Sequence, residues 1–208
     1  MRRSYAGAEL DEQSVAATWF EQFRRWFVEA VDALTEPNAM VLATVGPTSR
    51  PSARTVLLKA YDEAGLVFYT NATSRKAQEL AANPVATAVF PWIPLQRQVL
   101  VTGTVLPISR EETAAYFKTR PYGSQLGAWA SHQSSLLPSR EPLEDRYDEL
   151  ARRWPSEVPV PDFWGGYRLT PDEVEFWQGR PDRLHDRLRF RRTGGGDEET
   201  WLLERLAP

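Results

Sequence analysis

Between Ala39 and Leu106 the chain alternates with a period of two. Segments 39–45, 53–59, 66–70, 85–90 and 96–106 are rich in Val, Leu, Thr and aromatic residues, and the stretches 46–49 and 62–65 read as turns. Links this short cannot hold a crossover, so the strands they join must be antiparallel neighbours. The chain is thereby limited to a hairpin-built sheet with helices at its margins. Strands are also expected at 166–170, 174–178 and 188–191, with 201–205 pairing back across the glycines at 194–196.

Four segments have helical periodicity. Residues 14–34 bring Val15, Trp19, Phe20, Phe23, Trp26, Phe27, Ala30, Val31 and Leu34 onto one face, with Ser14 as the expected N-cap and Pro37 past the end. A face this aromatic must be buried. Residues 74–82 follow an N-cap at Ser74 and stop at Asn83 and Pro84. Residues 109–119 carry Ser109 and Glu112 at capping-box spacing, and 141–153 form the fourth helix. Residues 155–161 hold three prolines and read as an extended connector. No repeat or long linker divides the chain. The expectation is one α+β domain over 1–208, built on a closed or partly closed antiparallel barrel.

Composition excludes several chemistries. Cysteine is absent, which removes thiolate catalysis, disulfides and Cys-ligated metals, and no metal site is expected. The net charge of −3 does not fit a general polyanion binder, so no nucleic-acid partner is expected. No apolar run is long enough for a bilayer, and the basic start at Arg2 and Arg3 leads into no apolar signal core. The cations are skewed, with 22 Arg against Lys59, Lys76 and Lys118. A compact ammonium and a planar guanidinium serve different anion geometries, so the lysines direct attention.

Four clusters carry candidate chemistry. Arg54 and Lys59 end an otherwise apolar strand through Thr55, Val56, Leu57 and Leu58. Alternation sends the two cations to opposite faces, either as solvated edge charges or towards different parts of a large ligand. Tyr69 and Thr70 lead through a polar loop to Ser74, Arg75 and Lys76 at a helix start. Cations there oppose the helix dipole, a placement that makes sense where an anion binds free backbone N–H groups. Tyr116, Arg120 and Ser124 follow at four-residue spacing around a helix end, a second possible oxyanion cradle, with Pro121 expected to break the helix. Last, Arg183, His185 and Arg187 alternate after a strand bearing Trp177, and are expected on one side of an extended segment. Each cluster taken alone also fits an ordinary surface or helix end.

In this order and spacing the clusters resemble the pyridoxamine/pyridoxine 5′-phosphate oxidase family. The resemblance runs through Arg54 to Lys59, Phe68 to Asn71, Ser74 to Lys76, Phe90 to Trp92, Arg97 to Val99, and Arg120, Pro121 and Ser124 to Trp129. It continues through Gln133 to Ser135, Phe163 to Gly166, Glu175 to Gly179, Arg183 to Arg187 and Arg205 to Pro208. It implies a split β-barrel homodimer with FMN sites at the subunit interface, cytoplasmic, oxidising pyridoxamine and pyridoxine 5′-phosphates with dioxygen. FMN contacts are then expected at Arg54, Thr55, Val56, Leu57, Leu58, Lys59, Tyr69, Thr70, Arg75, Lys76, Gln98, Gln133, Ser134, Trp177 and Arg187. Substrate contacts are expected at Lys59, Tyr116, Arg120, Ser124, Arg183, Leu184 and His185, with Arg183 and His185 beside the reacting carbon. Arg2, Arg3 and Tyr5 match a segment that can close over substrate, within a possible lid at 1–13, where Gly7 and Ala8 replace the usual two glycines. Two rivals share the architecture: a flavin oxidase of phenazine biosynthesis, and a non-catalytic FMN- or haem-binding barrel.

Overall fold

The computed structural model describes residue 5 and residues 9–194 and 200–208. Nine strands form one antiparallel sheet: β1 (Ala39–Val45), β2 (Pro51–Leu57), β3 (Ala60–Asp62), β4 (Gly65–Asn71), β5 (Val85–Trp92), β6 (Arg97–Pro107), β7 (Trp164–Gln178), β8 (Asp186–Thr193) and β9 (Thr200–Arg205). The order is β2-β1-β5-β6-β7-β4-β3, with β8 on β7 and β9 on β8. Five helices flank it: α1 (Trp19–Ala33), α2 (Arg75–Ala82), α3 (Arg110–Thr119), α4 (Tyr122–Ala130) and α5 (Glu141–Arg153). Among the described residues no helix is long and apolar enough to cross a membrane.

The barrel is split because β7 changes partner partway along. β6 follows one of its edges, with a register shift between Thr102 and Gly103. On the other edge Leu169 and the residues before it pair with β4, while Glu173 and those after it pair with β8. At the bulge the backbones approach so closely that a Cβ on Gly103 would lie 2.0 Å from the Thr170 carbonyl oxygen. The expected strands 166–170 and 174–178 are therefore one strand. Pro171, which cannot donate to the ladder, sits at its irregularity.

α1 seals the core. Phe23, Trp26 and Ala30 pack with Met40, Leu42, Phe68, Phe90, Trp92 and Phe176. Phe23 meets Phe90 edge-on at 5.2 Å between centroids, and Trp26 meets Phe176 at 5.3 Å. The helix starts later than expected. Thr18, not Ser14, is the N-cap and accepts from the Glu21 N–H, while Ser14 closes an upstream turn on Asp11. A second cluster of Phe117, Leu126, Ala130, Leu150, Val158 and Trp164 joins α3, α4 and α5 to the β4–β7 edge.

Phe23 is fully buried, so Phe23→Ala leaves a cavity in the main core. Chemical denaturation should show a loss of about 3–5 kcal/mol. A loss below about 1 kcal/mol would show that α1 does not seal the barrel.

Candidate active site

A cavity of about 610 Å³ opens between β2, β4, the start of α2 and the α3–α4 junction. Thr55, Val56, Leu57, Lys59, Tyr69, Thr70, Lys76, Tyr116, Arg120, Ser124 and Gln133 all line it, so residues far apart in sequence converge as expected. Asn71, Ser131 and Trp164 line it too and carried no assigned role; Asn71 and Trp164 lay inside matching motifs.

On the α2 side Lys76 is buried. Its ammonium donates to Gln133 Oε1 at 2.8 Å, to Thr70 Oγ1 at 3.0 Å and to Ser74 Oγ at 3.4 Å. Burial first, and the charge of Arg54 second, bring its pKa down to about 8. Ser74 caps α2 as expected. Ser134 Oγ accepts from the Arg75 N–H at 3.2 Å, with Ser134 in the left-handed region at φ 74°. Arg54 and Arg75 do not line the cavity. Both turn to Glu79, one turn along α2 from Arg75, which sequence reasoning missed. The i,i+4 spacing of Arg75 and Glu79 was the available signal. The Leu58 side chain lies in the main core.

The opposite wall is the α3–α4 junction. Pro121 does not merely break a helix; it is the N-cap of α4, a helix not anticipated, and Ser124 lies in its first turn. Arg120 is the extended C-cap of α3 rather than a helical residue. Its carbonyl accepts from Gln125 Nε2 at 2.8 Å. The guanidinium lies 4.8 Å from the Trp164 ring and 5.5 Å from Phe117. Tyr69 lies parallel to Tyr116 at 4.0 Å and to Trp164 at 5.1 Å, and these two rings are themselves 6.2 Å apart, a cluster that stiffens this wall. Among the described residues Arg120 Nη1 has no hydrogen-bond partner although it is buried, and burial lowers the pKa of the group. An unmet charged donor in a cavity wall costs about 1–3 kcal/mol, which an anion there would offset.

The remaining expected residues lie elsewhere. Gln98, Trp177, Arg183, Leu184, His185 and Arg187 do not line the cavity. From Trp164 to Trp177 the long strand β7 covers roughly 40 Å at about 3.3 Å per residue. Gln98 is the register partner of Trp177. Trp177 packs on His185 at 4.6 Å, and Tyr5 meets both rings edge-on at 6.0 and 5.6 Å. Arg187 is gripped by the buried Glu175 at 2.7 and 3.0 Å and also donates to the Ala207 carbonyl. Arg183 and His185 do not share one side of an extended segment. Residues 181–183 form a tight turn with Asp182 at φ 55° and Arg183 at φ 65°, and β8 begins only at Asp186. Two adjacent non-glycine residues in that region store local backbone strain. His185 Nδ1 accepts the Arg180 N–H at 3.1 Å. Arg2 and Arg3 lie outside the described residues. Among the described residues no group of acidic or histidine side chains could hold a metal.

Known proteins resemble this chain along its whole length. Residues 27–153 match the family described as "Pyridoxamine 5'-phosphate oxidase", and residues 164–208 match the "Pyridoxine 5'-phosphate oxidase C-terminal dimerisation region". A protein of Salinispora arenicola named pyridoxine/pyridoxamine 5′-phosphate oxidase is 58% identical, covering 100% of this chain and 95% of its own. A Frankia alni protein of the same name is 56% identical, covering 100% of this chain and 87% of its own. The crystal structure of PhzG from Burkholderia lata 383, in complex with tetrahydrophenazine-1-carboxylic acid, superposes with TM-score 0.91 at 31% identity over 99% of this chain and 100% of that one. A pyridoxamine 5′-phosphate oxidase-related, FMN-binding protein of Nostoc punctiforme shares the fold, with TM-score 0.71 at 20% identity over 94% of this chain and 99% of that one. On the family matches and these full-length relatives, the chain belongs to the pyridoxamine 5′-phosphate oxidase family.

Proposed function

We propose that the chain, as one domain over residues 1–208, forms a homodimeric, FMN-dependent oxidase. Its substrates are pyridoxine and pyridoxamine 5′-phosphates. The observation that carries this reading is the buried Arg120 Nη1, without a partner among the described residues, in the wall of a cavity that also holds the buried cation Lys76. A ligand pair with one phosphate for each cation set fits such a cavity.

The flavin phosphate is assigned to the α2 side, with Lys76, Gln133, Ser134, Arg54 and Arg75. The substrate phosphate is assigned to Arg120, Tyr116, Ser124 and Lys59. The backbone and side chains of Thr55 to Leu57, with Tyr69 and Thr70, line the flavin's path. The chemistry FMN supplies when bound is two-electron acceptance from the 4′ carbon and return of those electrons to dioxygen as hydrogen peroxide. For the alcohol the net reaction gives aldehyde and peroxide; for the amine, water is also consumed and ammonia released.

Arg183, Leu184, His185, Trp177, Arg187 and Gln98 are assigned to the partner's site. The length of β7 supports this, because it keeps the cluster far from the cavity of its own chain. The match of residues 164–208 to a dimerisation region supports it as well. His185 is given a positioning role. Its Nδ1 already accepts the Arg180 N–H, so the neutral ring carries its proton on Nε2 and offers a donor. Arg183 projects a planar guanidinium from a strained turn, suited to lie over the pyridine ring of the substrate. Tyr5, against Trp177 and His185, supports a closing role for the segment that also carries Arg2 and Arg3. The phenazine reading is favoured less: PhzG is 31% identical, while the two oxidases named above exceed 55%.

A peroxide assay separates the readings. Pyridoxine 5′-phosphate should yield stoichiometric peroxide and pyridoxal 5′-phosphate, and failure to do so with bound FMN would overturn the assignment. Arg120→Ala should raise KM at least about tenfold, the loss of one charged hydrogen-bonding partner, with FMN content intact. Loss of FMN with KM unchanged would mean the two phosphate sites are exchanged.

Lys76 makes FMN binding pH-dependent. With its pKa near 8 in the flavin-free protein, the ammonium is charged below pH 8 and neutral above, and only the charged form attracts phosphate. FMN affinity should therefore be flat from about pH 7, where the phosphate is largely dianionic, to pH 8, and fall by up to about tenfold per unit above it. Titration of Lys76→Met should give weaker binding with no such slope; an equal slope in the variant would place the titrating group elsewhere. For His185, Gln brings an amide N–H close to the Nε2 position. Turnover by His185→Gln should stay within about tenfold of the original with its pH profile unchanged. Abolished turnover with FMN retained would make His185 a base.

A further inference from the structure

Among the described residues the buried acids are Glu79 and Glu175. Four donors converge on it. Thr44 Oγ1 and Ser52 Oγ each donate to Oε2 at 2.6 Å, Arg54 Nη2 donates to the same oxygen at 3.1 Å, and Arg75 Nε donates to Oε1 at 2.8 Å. The donors come from three elements, β1, β2 and α2. The stem packs under the β1–β2 turn, where a Cβ on Gly46 would lie 3.1 Å from Glu79 Cγ. A carboxylate this buried is tolerable only with such compensation.

We propose that Glu79 is a positioning residue for the cofactor's phosphate: it fixes the guanidinium groups of Arg54 and Arg75 and trims the charge around them to match a phosphate monoester. The proposal rests on the assignment of the α2 side to FMN. Neither Arg lines the cavity; each is held beside the start of α2 by a bond to a different oxygen of one carboxylate. Without that carboxylate Arg54, Arg75 and Lys76 would converge unopposed, and Lys76 already feels Arg54. With it, three cations and one anion leave two positive charges, the complement of a phosphate carrying about −1.5 to −2. Burial alone would raise the Glu79 pKa, but hydrogen bonds from Ser52, Thr44, Arg75 and Arg54 outweigh it and bring the group to about 2. The pin therefore stays charged at every pH at which the protein would work.

Riboflavin, which lacks the phosphate, provides the control. Full-length protein stripped of flavin is titrated with FMN and with riboflavin, following quenching of flavin fluorescence, for the unmodified chain and for Glu79→Gln. The expected result is an FMN affinity lower by about tenfold or more, riboflavin affinity unchanged, and a cooperative melt retained. Parallel loss of both ligands would make Glu79 a plain structural residue and overturn the proposal, as would unaltered FMN affinity. If Glu79→Gln does not fold, Ser52→Ala carries the test. It removes one donor to the same oxygen and should give a smaller loss confined to FMN; no loss overturns the proposal. If the unmodified chain shows no preference for FMN over riboflavin, the phosphate assignment itself fails, and the proposal with it.

Discussion

The pairing of β6 with β7 across the bulge at Gly103 is the constraint on which the rest of the molecule depends. It lets one long strand serve two half-barrels, with β4 on its first part and β8 on its last. The first part presents Trp164 to the cavity and provides the ring under Arg120. The last part carries Glu175 and Trp177, which organise Arg187 and His185. Both halves of the proposed chemistry thus hang on one backbone, at separate ends. A strand cannot fold back to bring its own ends together, so in the proposed dimer a second copy supplies what geometry denies to the first.

The electrostatics follow a second rule: cations are held in place before any ligand arrives. Arg54 and Arg75 are aimed by Glu79, Arg187 by Glu175, and Lys76 by two hydroxyls and Gln133. Arg120 is held over the Trp164 ring rather than by an acid, which leaves Nη1 without a partner among the described residues. Preset donors lose little entropy on binding an anion, and a half-desolvated site strengthens each contact.

Much of this was legible in the sequence. The span of β1, the capping box of α3, the N-cap of α2 and the bounds of α5 all follow from local patterning, because in each case propensity and tertiary environment agree. What was not legible depended on contacts distant in sequence. α4 contains Gly123 and Gly127 and has no side-chain N-cap bond, so local signals argue against it; packing of Leu126 and Ala130 onto α5 and Trp164 stabilises it instead. Thr18 displaces Ser14 as a cap because Asp11 claims Ser14 in a turn. The turn at 181–183 resembles an extended run because alternation of charged residues mimics strand periodicity. Most cavity residues stood out by charge and spacing, while Gln133 and the ligand assigned to each cluster came from family resemblance; Glu79 showed only an i,i+4 spacing to Arg75, since burial of an acid on a short helix leaves no mark in composition.

Subunit complementation tests the shared site most directly. Arg120→Ala removes the phosphate anchor of a chain's own cavity, and Arg183→Leu removes the residue assigned to the partner's. Each variant alone should be nearly inactive at low substrate. Unfolded together and refolded as a random mixture, half the dimers combine the two, and each of those has one intact site. About a quarter of the original activity should then return. No recovery, with mixed dimers demonstrated, would contradict a site built from both chains.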